Sequence, residues 1–212
     1  MRISEIFTSI QGETTYTGRL STFIRLAGCN LRCSYCDTKY AYDSGVELSE
    51  TEIMNEVSVV GVNLITITGG EPLLQEEVFH LTERLLNDGH KVLIETNGSL
   101  SIKDLDPRAV VVLDIKTPGS GMWEEMDASN MDFLKHGDEV KFVIVNRMDY
   151  EWARDFVKAG RLPRAGCKVL FSPAFGLLEP AGLASWMLQD RLNVIFNLQA
   201  HKYIFGPEKR GV

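Results

Sequence analysis

Cysteine is scarce in this chain, four among 212 residues, and three of the four crowd into residues 29–36. That scarcity excludes a disulfide-stapled scaffold, which is small and cysteine-dense, and an odd local count cannot pair off. Long apolar runs are missing as well. No stretch approaches the roughly 20 residues that span a bilayer, and Met1-Arg2-Ile3-Ser4-Glu5 lacks the charged-then-apolar pattern of a signal segment. A cytoplasmic protein with reduced thiols and no membrane partner is expected. Basic charge is also in deficit: Lys and Arg number 22 against 29 Asp and Glu, a net charge of −7. That balance argues against broad binding of phosphate backbones, and so against nucleic acid as a direct partner. With no internal repeat, low-complexity segment or evident linker, the length suits a single domain over residues 1–212.

What is present is Cys29-Asn30-Leu31-Arg32-Cys33-Ser34-Tyr35-Cys36, a C-x3-C-x2-C loop directly after an apolar, strand-like run. Thiolates this close converge on one centre. Three sulfur ligands leave one iron of a four-iron cluster without a protein ligand, an open corner where an exchangeable molecule can chelate. A structural zinc site prefers four closing ligands, and the remaining Cys167 lies far downstream with no second ligand beside it. An electron-carrying ferredoxin would supply a fourth cysteine nearby.

Strands alternate with helices along the rest of the chain. Strands are predicted over 21–27, 64–68, 91–96, 109–113, 139–145, 168–171 and 194–197, and helices over 50–59, 75–88, 150–158 and 180–188, with a short one at 131–135. Residues 109–113 read as a strand buried on both faces. Polar or glycine-bearing tips follow the strands: Gly69-Gly70-Glu71-Pro72, Glu95-Thr96-Asn97-Gly98, Asp114-Ile115-Lys116 and Ser172-Pro173. This is the pattern of parallel βα units, whose ligands collect at the carboxyl ends of the strands. The expected α/β fold is an incomplete, open β/α barrel of about six parallel strands, with the cysteine loop after the first barrel strand. On composition alone, Gln11-Gly12-Glu13 reads as an ordinary turn, Arg25 as a charge facing solvent, and Thr38 as a turn cap that offers magnesium one hard oxygen. Gly12 would also let the backbone approach a flat ligand.

The cysteine spacing, with Tyr35 before the last cysteine, together with Thr68-Gly69-Gly70-Glu71-Pro72, resembles the radical S-adenosylmethionine superfamily. Phe7-Thr8-Ser9-Ile10-Gln11-Gly12-Glu13, Cys36-Asp37-Thr38, Glu95-Thr96-Asn97-Gly98 and His201-Lys202-Tyr203 resemble, within it, the 7-carboxy-7-deazaguanine synthases of 7-deazapurine (queuosine precursor) biosynthesis. The resemblance implies a carbon-nitrogen lyase that converts 6-carboxy-5,6,7,8-tetrahydropterin to 7-carboxy-7-deazaguanine by radical ring contraction with loss of ammonia. It implies a 4Fe-4S cluster on Cys29, Cys33 and Cys36, S-adenosylmethionine against Tyr35, Cys36, Asp37, Gly70, Asp114, Ile115, Lys116, Ser172 and Pro173, and Mg2+ at Thr38. Ile10, Gln11, Gly12, Arg25 and Thr68 would bind the pterin, with Arg25 facing its carboxylate. An external one-electron reductant such as flavodoxin or ferredoxin, and a homodimer, are implied by the same likeness. Two departures stand out: Thr14 replaces a glycine common in the family, and Pro207, where some members end, is followed by Glu208 to Val212. A glycyl-radical activase and a non-enzymatic iron-sulfur electron carrier are the alternatives.

Overall fold

The computed structural model describes residues 1–162 and 166–212. Among them the strands are β1 (Arg2–Ile10), β2 (Leu20–Leu26), β3 (Val46–Glu47), β4 (Leu64–Gly69), β5 (Lys91–Thr96), β6 (Val110–Ile115), β7 (Glu139–Ile144), β8 (Lys168–Pro173) and β9 (Ile195–Phe196). The helices are α1 (Glu50–Val60), α2 (Glu77–Asn87), α3 (Arg147–Lys158), α4 (Pro180–Asp190) and α5 (Ala200–Phe205). One sheet takes the order β3-β1-β2-β4-β5-β6-β7-β8-β9. From β2 to β9 every neighbouring pair is parallel, while β1 runs antiparallel to β2 and to β3. β3 and β9 remain as edges, so the barrel is open, as the alternation of elements implied.

Local chemistry sets the helix ends. Ser49 and Glu52 form a reciprocal cap on α1, Ser49 N donating to the Glu52 carboxylate at 2.8 Å and Glu52 N to Ser49 Oγ at 3.3 Å. Asn146 Oδ1 accepts from Asp149 N at 3.0 Å, which starts α3 a turn before the expected residue 150. The expected helix at 131–135 is instead a 3-10 turn over Ala128–Asp132. Residues 2–10, outside the predicted strands, form a full strand, and α5 follows the last strand where no helix was expected.

The two-residue period of the strands separates two environments. Ile24, Leu26, Ile65, Ile67, Val92, Ile94, Val111, Leu113, Ile115, Val140, Phe142, Ile144 and Phe171 are buried in the core that the helices cover. Arg25, Thr68, Glu95, Asp114, Lys141 and Ser172 alternate with them and face the concave side. β6 is buried on both faces, as expected: Val111 and Leu113 pack in the core, and Val112, also fully buried, turns to the concave side ahead of Asp114.

Candidate active site

The cysteine loop leaves β2 and lies on the carboxyl end of β4, and two glycines permit that contact. A Cβ on Gly70 would fall 2.1 Å from Gly28 O and 2.6 Å from Cys29 Cβ, and one on Gly69 2.4 Å from Leu26 O. Glu71 then ties three strand ends together. Its N–H donates to Gly28 O at 2.8 Å, and its buried carboxylate accepts from Leu73 N, Thr96 Oγ1 and Asn97 N at 3.0, 2.9 and 2.6 Å. Burial outweighs those donors and pushes the Glu71 carboxyl up. Asn97 Nδ2 donates to Asn30 Oδ1 at 3.2 Å. On the far side of the loop, Ser34 N and Oγ donate to Ser120 O and Gly119 O at 3.0 and 2.7 Å. The loop that carries the thiols is thus fixed by three other strand ends.

All three thiols are free and half-buried, and burial pushes those of Cys29 and Cys33 up, so ligation must displace their protons. Among the described residues no three His, Cys, Asp or Glu side chains converge on a single ion, which a cluster, with each thiolate on its own iron, does not require. Beside them the Tyr35 hydroxyl and Asp114 Oδ1 are buried without a hydrogen-bond partner, the condition of groups that a ligand completes. The donor set fits a three-cysteine cluster with a polar ligand alongside.

Cys29, Cys33 and Cys36 line a cavity of about 270 Å³ together with Ile10, Gln11, Gly12, Arg25, Tyr35, Asp37, Thr38, Thr68, Gly70, Asp114, Lys116, Ser172 and Pro173. One expected site residue is absent from that wall: Ile115 is 3% exposed and packed in the core. It follows from strand geometry, since Asp114 and Lys116 face the cavity and their neighbour must point away.

The end of the cavity opposite the thiols is built by the β1–β2 loop, which crosses the concave face. Gln11 Nε2 donates to Thr66 Oγ1 and Glu95 Oε1 at 3.1 and 3.3 Å, Thr15 N to the Glu139 carboxylate at 3.2 Å, and Asn197 Nδ2 to Thr14 O at 3.4 Å. Thr14 adopts the left-handed region at φ 63°, which a glycine would occupy without strain. The space at Gly12 serves a contact within the protein: a Cβ there would meet His201 Nδ1 at 2.2 Å, and Gly12 O accepts from Ala200 N at 2.8 Å. Arg25 likewise has an internal anion. Its Nε donates to Glu5 Oε1 at 2.7 Å, across the ladder that pairs Glu5 with Arg25, and Tyr40 OH donates to the same oxygen at 2.8 Å. Thr38 Oγ1 donates to Asp37 Oδ1 at 2.9 Å.

Several wall residues carried no role in the sequence reading: Glu95, Lys141, Gln199 and Lys202, and the aromatic pair Phe7 and Phe23, stacked at 4.9 Å. Lys141 Nζ donates to Glu13 Oε2 at 2.8 Å. Burial alone would raise Glu13, but the Lys141 ammonium overrides it and holds the carboxyl far below the usual range. Burial pushes Glu95 up and His201 down. Gln199 Nε2 donates to Glu13 Oε1 at 3.0 Å, and Lys202 pairs with Asp37, so the start of α5 is latched to both the β1–β2 loop and the cysteine loop. The available signal was a charge at alternate positions in otherwise apolar strands, as in Glu139-Val140-Lys141-Phe142.

A three-cysteine loop after the first parallel strand, seated on a glycine-rich strand end in an open β/α barrel, defines a radical S-adenosylmethionine protein, and the Radical SAM superfamily model matches residues 23–118. The chain is 44% identical to the 7-carboxy-7-deazaguanine synthase of Koribacter versatilis over all of both chains. It is also 44% identical to that of Chlorobaculum tepidum, over 100% of this chain and 97% of the relative. The chain belongs to the 7-carboxy-7-deazaguanine synthase family. The crystal structure of QueE from Escherichia coli shares the fold, with a TM-score of 0.78, 23% identity and 94% of each chain covered. That of Streptococcus suis SuiB superposes with a TM-score of 0.59 at 16% identity, over 83% of this chain and 48% of the other.

Proposed function

We propose that this chain is a 7-carboxy-7-deazaguanine synthase, converting 6-carboxy-5,6,7,8-tetrahydropterin to 7-carboxy-7-deazaguanine with loss of ammonia. The carrying observation is that the cysteine loop and the Ile10–Gly12, Arg25 and Thr68 group line one cavity, in a chain 44% identical over its whole length to enzymes of that name. When bound, the cluster and S-adenosylmethionine supply a hydrogen-abstracting radical that opens the route to ring contraction.

The chain's own residues bind and orient. Cys29, Cys33 and Cys36 would hold the cluster. Tyr35, Asp37, Gly70, Asp114, Lys116, Ser172 and Pro173 would contact the S-adenosyl cofactor, with Ile115 limited to its main chain. Ile10, Gln11, Gly12 and Thr68 would hold the pterin. Arg25 donates through Nε alone among the described residues, so its terminal nitrogens can take the substrate carboxylate while Glu5 fixes the fork. Phe7 and Phe23 give the cavity an apolar wall that excludes water. Asp37 and Thr38 offer hard oxygens to Mg2+, which would draw its other ligands from substrate and water. The reading includes an external flavodoxin- or ferredoxin-type donor, a homodimer and a cytoplasmic setting; no described helix is long and apolar enough to cross a membrane.

The test is anaerobic incubation of cluster-reconstituted protein with the carboxypterin, S-adenosylmethionine and dithionite, followed by ultraviolet detection of the deazaguanine. Product is expected, and its loss on changing each of the three thiols to alanine. No product from protein whose reduced cluster responds to S-adenosylmethionine would overturn the substrate assignment and favour an activase.

A further inference from the structure

Lys141 stands in the middle of β7 with its ammonium enclosed, 2.8 Å from Glu13 Oε2 and 3.8 Å from Asp114 Oδ2. Those carboxylates come from different elements, Glu13 from the β1–β2 loop and Asp114 from β6. Glu13 continues the loop that carries Ile10, Gln11 and Gly12, and is anchored from α5 by Gln199. Asp114 pairs with Lys116 at 3.0 Å and keeps Oδ1 buried without a partner. Glu95, which accepts from Gln11 and Thr68, is a third carboxyl close to Lys141. No role derived above uses this lysine. Taking an ammonium and its partners out of water is expensive, and apolar side chains of similar volume often serve stability as well or better. Its retention here therefore points to the site.

We propose that Lys141 is a positioning residue that couples the β1–β2 loop to Asp114 on β6, so that substrate and S-adenosylmethionine bind cooperatively. The inference rests on the assignment of the substrate to the loop and of S-adenosylmethionine to Asp114 under the proposed function. At 2.8 Å the ammonium is bonded to Glu13, and at 3.8 Å it is within attraction of Asp114 but outside hydrogen-bond range. A ligand that engages Asp114 changes the share of the ammonium's field left for Glu13, and so the set of the Gln11–Glu13 loop. A ligand that orders the loop acts on Asp114 in return, since binding couplings are reciprocal.

The experiment is isothermal titration of reconstituted protein, cluster oxidised so that no turnover occurs, with S-adenosylmethionine and with the carboxytetrahydropterin, each alone and in the presence of the other. In the unsubstituted chain each ligand is expected to tighten the other by on the order of 10-fold. In Lys141→Met that factor falls to about 1, with iron content and melting temperature recorded as structural controls, and Lys141→Arg restores part of it. Should Lys141→Met fail to fold, Glu13→Gln removes the opposite end of the bridge and is expected to lose the same factor. Coupling retained in either variant, or absent from a chain that binds both ligands, overturns the inference. A chain that binds S-adenosylmethionine but not the pterin instead refutes the proposed substrate.

Discussion

Placing alanine at Gly12 puts a methyl carbon 2.2 Å from Nδ1 of His201 and 2.8 Å from both Cβ and Cγ of the same residue. Carbon atoms pack at roughly 3.5–4.0 Å, so something must move by about 1 Å. Gly12 is not among the residues at positive φ, and backbone strain adds nothing. The imidazole cannot simply rotate away, because its root is part of the overlap and Ala200 N is bonded to Gly12 O at 2.8 Å. Overpacking of this kind costs about 1–3 kcal/mol. At about 2–4 °C per kcal/mol for a chain of this size, the melting temperature of Gly12→Ala should fall by roughly 2–12 °C. Release of α5 also slackens the Gln199–Glu13 and Lys202–Asp37 contacts, so substrate KM should rise. The companion is His201→Gly, since alanine would leave its own Cβ in the overlap. A double-mutant cycle by chemical denaturation should show the double variant more stable than the sum of the singles by about 1–2 kcal/mol. Additive singles, or a Gly12→Ala chain that melts with the parent, would refute the packing reasoning.

Gly70→Ala drives a methyl against the backbone oxygen of Gly28 at 2.1 Å; iron per chain after reconstitution and the denaturation midpoint should both drop, and unaltered loading would contradict the close approach. Arg25→Lys keeps a cation beside Glu5 but removes the fork. Loss of one charge-assisted bond, about 1.5–3 kcal/mol, predicts a rise in substrate KM of roughly 10- to 150-fold with little change in melting; an unchanged KM would take Arg25 out of substrate binding. Burial holds His201 below its ordinary value of 6.5, so near that pH the unfolded chain binds more protons than the folded one. Its contribution is complete above about pH 6.5 and is lost as pH falls through the depressed value. In thermal melts between about pH 8 and pH 5.5, the parent should lose stability faster than His201→Gln, and parallel curves would count against a neutral, buried imidazole.

What the chain settles through neighbours in sequence was legible without the fold. The spacing of Cys29, Cys33 and Cys36, the Ser49 cap, the Gly69-Gly70 strand end and the alternation of strands with helices are local chemistry. Together they fixed an open α/β barrel and the cysteine centre. Distant pairings were another matter. The resemblance gave Arg25 a ligand carboxylate, and the antiparallel ladder adds a partner from the chain itself, Glu5. Gly12 was read as letting the backbone approach a flat ligand, and it also makes room for His201, which α5 brings against it. Lys141 and Glu13 are far apart along the chain, and only parallel strand registry together with the loop crossing the concave face brings their charges to 2.8 Å. The physical reason is that periodicity, caps and turns act over a few residues, whereas the partner of a buried charge depends on which strands become neighbours and which face each residue turns inward. That choice belongs to the packing of the whole chain.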